Sequence, residues 1–171
     1  MHDAHDGSYA CEPQLEDLVR VARALNAHHV SYVLIGGFAV IAHGGARTTK
    51  DIDLLIDAAP ENVARVREAL QIFEDKAIND VADDDVARYT VVRVADEIVV
   101  DLMSQACGVD YADASRDAVE MRFAGVPIPV ASPPTLIRTK NTIRPSDAAD
   151  RQFLQVLIDE AARVRHDDGP R

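Results

Sequence analysis

A β-rich apolar run at residues 30–35 stops at Gly36-Gly37, and a second apolar run, 38–43, closes on Gly44-Gly45. The residues that follow, 51–57, alternate Ile52, Leu54 and Ile56 with Asp51, Asp53 and Leu55. Alternation of period two is the signature of a strand, and it puts the first two carboxylates together on the face opposite the isoleucines. The chain is therefore committed early to a strand, a glycine junction, a short helix, and a strand with an acidic pair at its start. A glycine pair at such a junction lets backbone come close to a ligand, and the helix start offers N–H groups to an anion such as a phosphate. Glycine pairs are equally at home in tight turns that bind nothing, so the pair acquires meaning only from its neighbours.

Around this unit the spacing predicts a helix opened by Pro13, with Leu15, Leu18, Val19, Ala22 and Leu25 at helical intervals. Another helix starts at Pro60 and runs to about residue 70. Residues 75–85 read as a charged loop, and 87–94 and 97–102 as two strands joined near Ala95-Asp96. Residues 111–119 read as a helix, and 121–123 with 126–130 as a hairpin about Gly125. Ser132 and Pro133 cap a helix expected to reach Arg144, stopped by Pro145, and Ser146 caps a last helix over 147–164. Consecutive strands without helices between them point to a mixed α/β (α+β) sheet core with flanking helices and a small C-terminal helical part. Residues 1–11 and 166–171 are expected to be disordered, residues 12–131 to form the core, and the helices of 132–165 to pack on it.

Charge and length narrow the function classes. The 171 residues carry 29 acidic and 18 basic side chains, a net −11, which excludes a generally basic nucleic-acid coat but not a local basic patch. Cys11 and Cys107 lack metal-ligand spacing and make no disulfide framework. The longest apolar run, 32–42, is far short of the ~20 residues a bilayer span needs. An acidic N-terminus is unlike a signal peptide. These features predict a cytoplasmic protein with no membrane partner.

Asp51 and Asp53 repel each other side by side, and a divalent cation with hard oxygen preference, Mg²⁺ or Mn²⁺, relieves the repulsion. Asp101 ends the apolar run Ile98-Val99-Val100; a charge so placed is rarely buried unless paired. A neighbouring strand would bring three carboxylates to one place, whereas a strand ending in solvent would bring none. Arg47 and Lys50 flank the acidic strand, to contact phosphate or to hold Asp51. Lys140 and Arg144 are four apart and on the expected helix share a face, where they could neutralise a triphosphate. Asp147 and Asp150 open the last helix, where the dipole alone favours them, and Asp150 could simply pair with Arg144 or Lys140. Asp57 reads as a capping or solvent residue, His43 as an unlikely participant, and Asp83-Asp84-Asp85 as a solvated loop.

The combination of a glycine pair after a strand, a short helix, Asp51-Ile52-Asp53 and a later strand ending in Asp101 resembles the nucleotidyltransferase superfamily. Gly36-Gly37-Phe38-Ala39 and the run from Arg47 through Thr49 to Asp53 are most similar to the AbiEii-like branch, which includes MenT-type toxins. Lys140, Arg144, Asp147 and Asp150 resemble that branch's C-terminal segment. The resemblance spans about residues 30 to 158. It implies a nucleotidyltransferase fold whose glycine turn, Gly36 and Gly37, holds nucleotide phosphates together with Arg47, Thr49, Lys140 and Arg144. Asp51, Asp53 and Asp101 would bind two Mg²⁺ ions for in-line attack on the α-phosphate, supported by Asp147 and Asp150. It further implies an NTP substrate, an acceptor hydroxyl such as the 3′ end of tRNA, and a cognate antitoxin protein. A small-molecule acceptor such as an antibiotic, or a catalytically silent binding module, are the competing readings. Many members carry Gly-Ser where this chain has Gly36-Gly37, so one hydroxyl contact is missing.

Overall fold

The structure, a computed structural model, describes residues 10–167; the tails expected to be disordered fall, at 1–9 and 168–171, outside the described residues. Helix α1 (Leu15–Ala27) presents Leu18, Val19, Val21, Ala22 and Leu25 to the core. Its start differs from expectation. Pro13 lies before the helix, and the Asp17 carboxylate caps it by accepting from the Gln14 N–H at 2.7 Å.

Strand β1 (Tyr32–Ile35) is buried at all four positions, so both of its faces are covered and it lies inside the sheet. Helix α2 (Gly36–Ala42) begins on the glycine itself, with no intervening loop. Strand β2 (Ile52–Ile56) follows, then α3 (Pro60–Ala69), with proline at the helix start and the Asp57 carboxylate accepting from the Ala59 N–H just before it.

The charged region contains a 3₁₀ turn over Ala77–Asp80 and a one-turn helix, α4 (Asp85–Arg88). The strand expected from residue 87 starts only at Val92, as β3 (Val92–Ala95). The reason is local: the Asp85 carboxylate accepts from the Ala82 N–H at 2.8 Å, fixing a helical turn where apolar content suggested extension. Strand β4 (Val99–Met103), a two-residue hairpin of β5 (Gln105–Ala106) and β6 (Val109–Asp110), and a short α5 (Tyr111–Ser115) come next. Strands β7 (Val119–Phe123) and β8 (Val126–Val130) form the hairpin expected about Gly125.

Six strands make one mixed sheet in the order β3-β4-β2-β1-β8-β7. β1 and β2 are antiparallel, while β2 with β4 and β1 with β8 are parallel. Its core includes Leu34, Ile52, Leu54, Leu102 and Ile128, all essentially inaccessible.

Helix α6 (Pro133–Thr139) is capped by Ser132 as expected, but it stops at Thr139, short of Arg144. Lys140 is its C-cap. The Arg151 guanidinium donates to the carbonyls of Lys140 and Thr142 and so satisfies the helix end from outside. Proline at 145 disfavours helical backbone at Arg144 and serves as the first residue of α7 (Pro145–Asp167), which therefore begins before Ser146 and continues past residue 164. No helix among the described residues is long and apolar enough to cross a membrane.

Candidate active site

One register row crosses four of the six strands. Ile35 on β1 pairs with Asp53 on β2, Asp53 with Asp101 on β4, and Asp101 with Arg93 on β3. Directly paired residues project from the same face, so two carboxylates and a guanidinium share one side. Asp51, just before β2, joins them: one oxygen from each of Asp51, Asp53 and Asp101 lies within 4.8 Å of the others.

Gly36 sits at the end of this row with φ +69°. A Cβ there would lie 2.6 Å from the Asp53 Cγ, and one at Gly37 2.7 Å from the Thr49 Cβ. Both distances are below any real contact. The glycines are thus required by the close approach of Asp53 and Thr49, quite apart from any ligand. Thr49 in turn donates from Oγ1 to the Asp51 carbonyl at 3.1 Å, fixing the entry to β2.

The charge balance of the triad is uneven. Asp101 is 4% exposed and is held by two prongs of Arg93, Nε to Oδ1 at 2.9 Å and Nη2 to Oδ2 at 2.8 Å. The same Nη2 is 3.4 Å from Asp51 Oδ2. Hydrogen bonding to Asp101 pushes the Arg93 pKa further upward. Among the described residues no cation lies at ion-pair distance from Asp53. Burial, and then the charges of Asp51 and Asp101, push its carboxyl up to about 7, with Lys140 opposing.

The facing wall comes from α6 and α7. Lys140 Nζ lies 2.9 Å from Asp150 Oδ2 and 3.5 Å from Asp147 Oδ1, with all three side chains largely buried. Arg47 also pairs with Asp150. Arg47 is therefore anchored to α7 and does not hold Asp51. Lys140 and Arg144 share no helix face, because α6 ends between them, yet both line the cleft. Of the basic side chains noted in the sequence, Arg47, Lys140 and Arg144 come together here. Lys50, exposed at the entry to β2, does not line the cleft.

Between the walls lies a cleft of about 530 Å³, lined by Gly36, Gly37, Arg47, Thr49, the three aspartates, Arg93, Lys140, Arg144 and Asp147. The donor set suits a hard divalent cation: three convergent carboxylates, one of them held above the usual range by burial and then by its neighbours' charge, fit a cation among them. Other polar residues have structural partners. His43 Nε2 contacts the Ala131 carbonyl at 2.9 Å, Asp83 pairs with Arg67, and Asp96 accepts three backbone N–H groups.

Arg93 was invisible to motif reading, although a signal existed. A tight turn at residues 95–98 sets Ala95 opposite Val99, and two steps further Arg93 falls opposite Asp101.

Comparison with known proteins places these features in context. The family described as "Nucleotidyl transferase AbiEii toxin, Type IV TA system" matches residues 17–153, a stretch that contains every cleft residue named above. A crystal structure of a Thermotoga maritima protein, described only provisionally as a nucleotidyltransferase, is similar over 90% of this chain and 92% of its own, with 17% identity and a TM-score of 0.48. No curated protein matches the chain.

Proposed function

The chain belongs to the AbiEii nucleotidyltransferase toxin family and is a nucleotidyltransferase, and from that premise we propose that it transfers an NMP from an NTP to the 3′ end of an RNA, tRNA being the favoured acceptor. The observation that carries this reading is the register row that sets Asp53 beside Asp101, with Asp51 adjoining and Gly36 at its end. In the reaction the acceptor oxygen bonds to the α-phosphorus, the bond to the bridging oxygen of the β-phosphate breaks, and pyrophosphate leaves.

Asp51, Asp53 and Asp101 would hold Mg²⁺ or Mn²⁺. The bound cation would supply charge neutralisation at the attacked phosphate and activation of the attacking hydroxyl. Asp101 is the candidate acceptor of the hydroxyl proton. Gly36 and Gly37 line the cleft beside the row and are the candidate backbone contacts for phosphate oxygens. Lys140 has three N–H donors and two carboxylate partners, so one donor remains for the leaving pyrophosphate. Arg144, at the cleft rim without the burial of Lys140, and Arg47 complete the anionic side. Asp147 and Asp150 orient Lys140 and Arg47. A net charge of −11 weakens binding along the body of an RNA, and a terminal nucleotide needs few phosphate contacts. The acidic surface also suits a basic antitoxin protein, and NTP and tRNA as substrates point to the cytoplasm.

The test is incubation of the protein with each α-labelled NTP, Mg²⁺ and total cellular RNA, followed by gel electrophoresis. The same reaction with aminoglycosides and lincosamides is followed by mass spectrometry. Label on tRNA-sized bands, absent with Asp51→Asn, is the expected result. A modified antibiotic with unlabelled RNA would replace the RNA acceptor by a small molecule. Intact NTP binding with no acceptor of any kind would point to a silent module.

A further inference from the structure

Arg93 is not one of the motif residues on which the resemblance rests, yet it makes the closest contacts in the triad. Its guanidinium takes both oxygens of Asp101 and reaches one of Asp51, while Asp53 has no such partner. Arg93 stands on β3, the edge strand, and its side chain is 60% exposed against 6% for that of Asp101. The two ends of this ion pair are thus unequal. Asp101 is nearly buried at the floor of the cleft, whereas Arg93 can swing outward by rotating its stem.

We propose that Arg93 is an internal counter-cation that holds Asp101 until a divalent cation displaces it, so that metal and guanidinium compete for the same carboxylate oxygens. The inference rests on the metal-dependent reading above. It follows from charge. A cation shared by all three carboxylates needs at least one Asp101 oxygen, and each of those oxygens already has the Arg93 guanidinium at 2.9 or 2.8 Å, so two cations crowded on one carboxylate repel each other. It also explains why a buried carboxylate beside two others is tolerated before metal arrives, since an unpaired buried charge is costly. In the metal-bound state the released Arg93 remains tethered by β3 to the cleft it lines, where it can meet the incoming acceptor's phosphate. Arg93 is in this account a positioning residue that sets metal affinity and leaves the chemistry to the carboxylates.

The experiment measures Mn²⁺ binding by calorimetry and thermal melting, on EDTA-treated protein, for the wild type, Arg93→Gln, Arg93→Lys and Asp53→Asn. Removing the competitor should tighten Mn²⁺ in Arg93→Gln roughly tenfold, the scale of one charge-assisted pair. The metal-free Arg93→Gln protein should melt about 5 °C lower, because Asp101 is left buried and unpaired, and Mn²⁺ should recover the loss. Arg93→Lys, which keeps the charge but not the two-pronged geometry, should fall between. A lowered melting temperature that Mn²⁺ does not repair, with unchanged affinity, would make Arg93 a purely structural strut and overturn the proposal. Weaker Mn²⁺ binding in Arg93→Gln would overturn it too, by showing that Arg93 assists the metal. Asp53→Asn separates the two levels: if its Mn²⁺ binding equals the wild type's, the carboxylate metal site itself is wrong and the competition falls with it. If Asp53→Asn loses binding while Arg93→Gln gains none, only the role of Arg93 is refuted.

Discussion

The two walls of the cleft are built from the same residue type in opposite electrostatic states. On the sheet wall, Asp51, Asp53 and Asp101 converge within 4.8 Å and share one guanidinium, which leaves Asp53 with a carboxyl pushed up to about 7. On the helical wall, Asp147 and Asp150 face Lys140 and Arg47 at ion-pair distance. The helical carboxylates are neutralised by the fold itself. Those on the sheet are held together against their repulsion by strand register, with a single guanidinium between them. On the proposed reading the under-neutralised cluster is the metal site and the neutralised one is scaffold.

The contrast predicts that removal of a charge has opposite consequences on the two walls. Asp53→Asn should lower transfer activity about 10²–10³-fold, as expected when a charge-stabilising group is lost from the reacting centre. The same change should leave the metal-free protein as stable as the wild type or more so at pH 8, because a repelled carboxylate has gone. A labelled-NTP assay and a metal-free melt check both halves, and clear destabilisation by Asp53→Asn would break the comparison. Asp150→Ala, by contrast, should destabilise by about 3 kcal/mol, since it strands the buried Lys140 and deprives Arg47 of its partner; chemical denaturation reads this directly.

pH sharpens the difference further. The folded-state pKa of Asp53 lies above its ordinary 3.8, at about 7, so between those values the folded chain binds a proton that the unfolded chain has released. The Asp53 contribution to metal-free stability therefore declines as pH rises from about 4 to about 7. Metal must displace that proton, so Mg²⁺ affinity should fall about tenfold for each pH unit below 7, as calorimetry across pH 5–8 can show. Asp147→Asn should have the smallest effect, below about 1 kcal/mol, because its oxygen is 3.5 Å from Lys140 and Asp150 keeps the closer contact. Thermal melting of Asp147→Asn beside Asp150→Ala would grade the helical wall.

Much of this molecule was legible in order along the chain. The strand alternation of Asp51 and Asp53 against Ile52 and Leu54, the glycine junction after Ile35, the hairpin about Gly125 and the Ser132 cap each arise from local rules, and each stands where those rules put it. The expectations that bear on the site failed where a distant side chain decided a local outcome. Helix α6 ends at Thr139, and Arg151, from the next helix, holds the chain just beyond it at the carbonyls of Lys140 and Thr142. Lys140 and Arg144 therefore lose the shared face that spacing alone implied. Arg47 was a neighbour of Asp51 by sequence but is a partner of Asp150 by fold.

By itself the sequence determined which residues could carry the chemistry: their type, their parity on a strand and the glycines that leave room for them. Period-two alternation and backbone φ are properties of a few adjacent residues, so they can be read without the rest of the chain. Only the tertiary structure decided how charge is shared among those residues. Strand order placed Asp101 beside Asp53, the β3–β4 hairpin placed Arg93 on Asp101, and the docking of α7 gave Lys140 to Asp147 and Asp150. The physical reason is that Coulomb and desolvation energies depend on separation and burial in space, and neither quantity is fixed by distance along the chain.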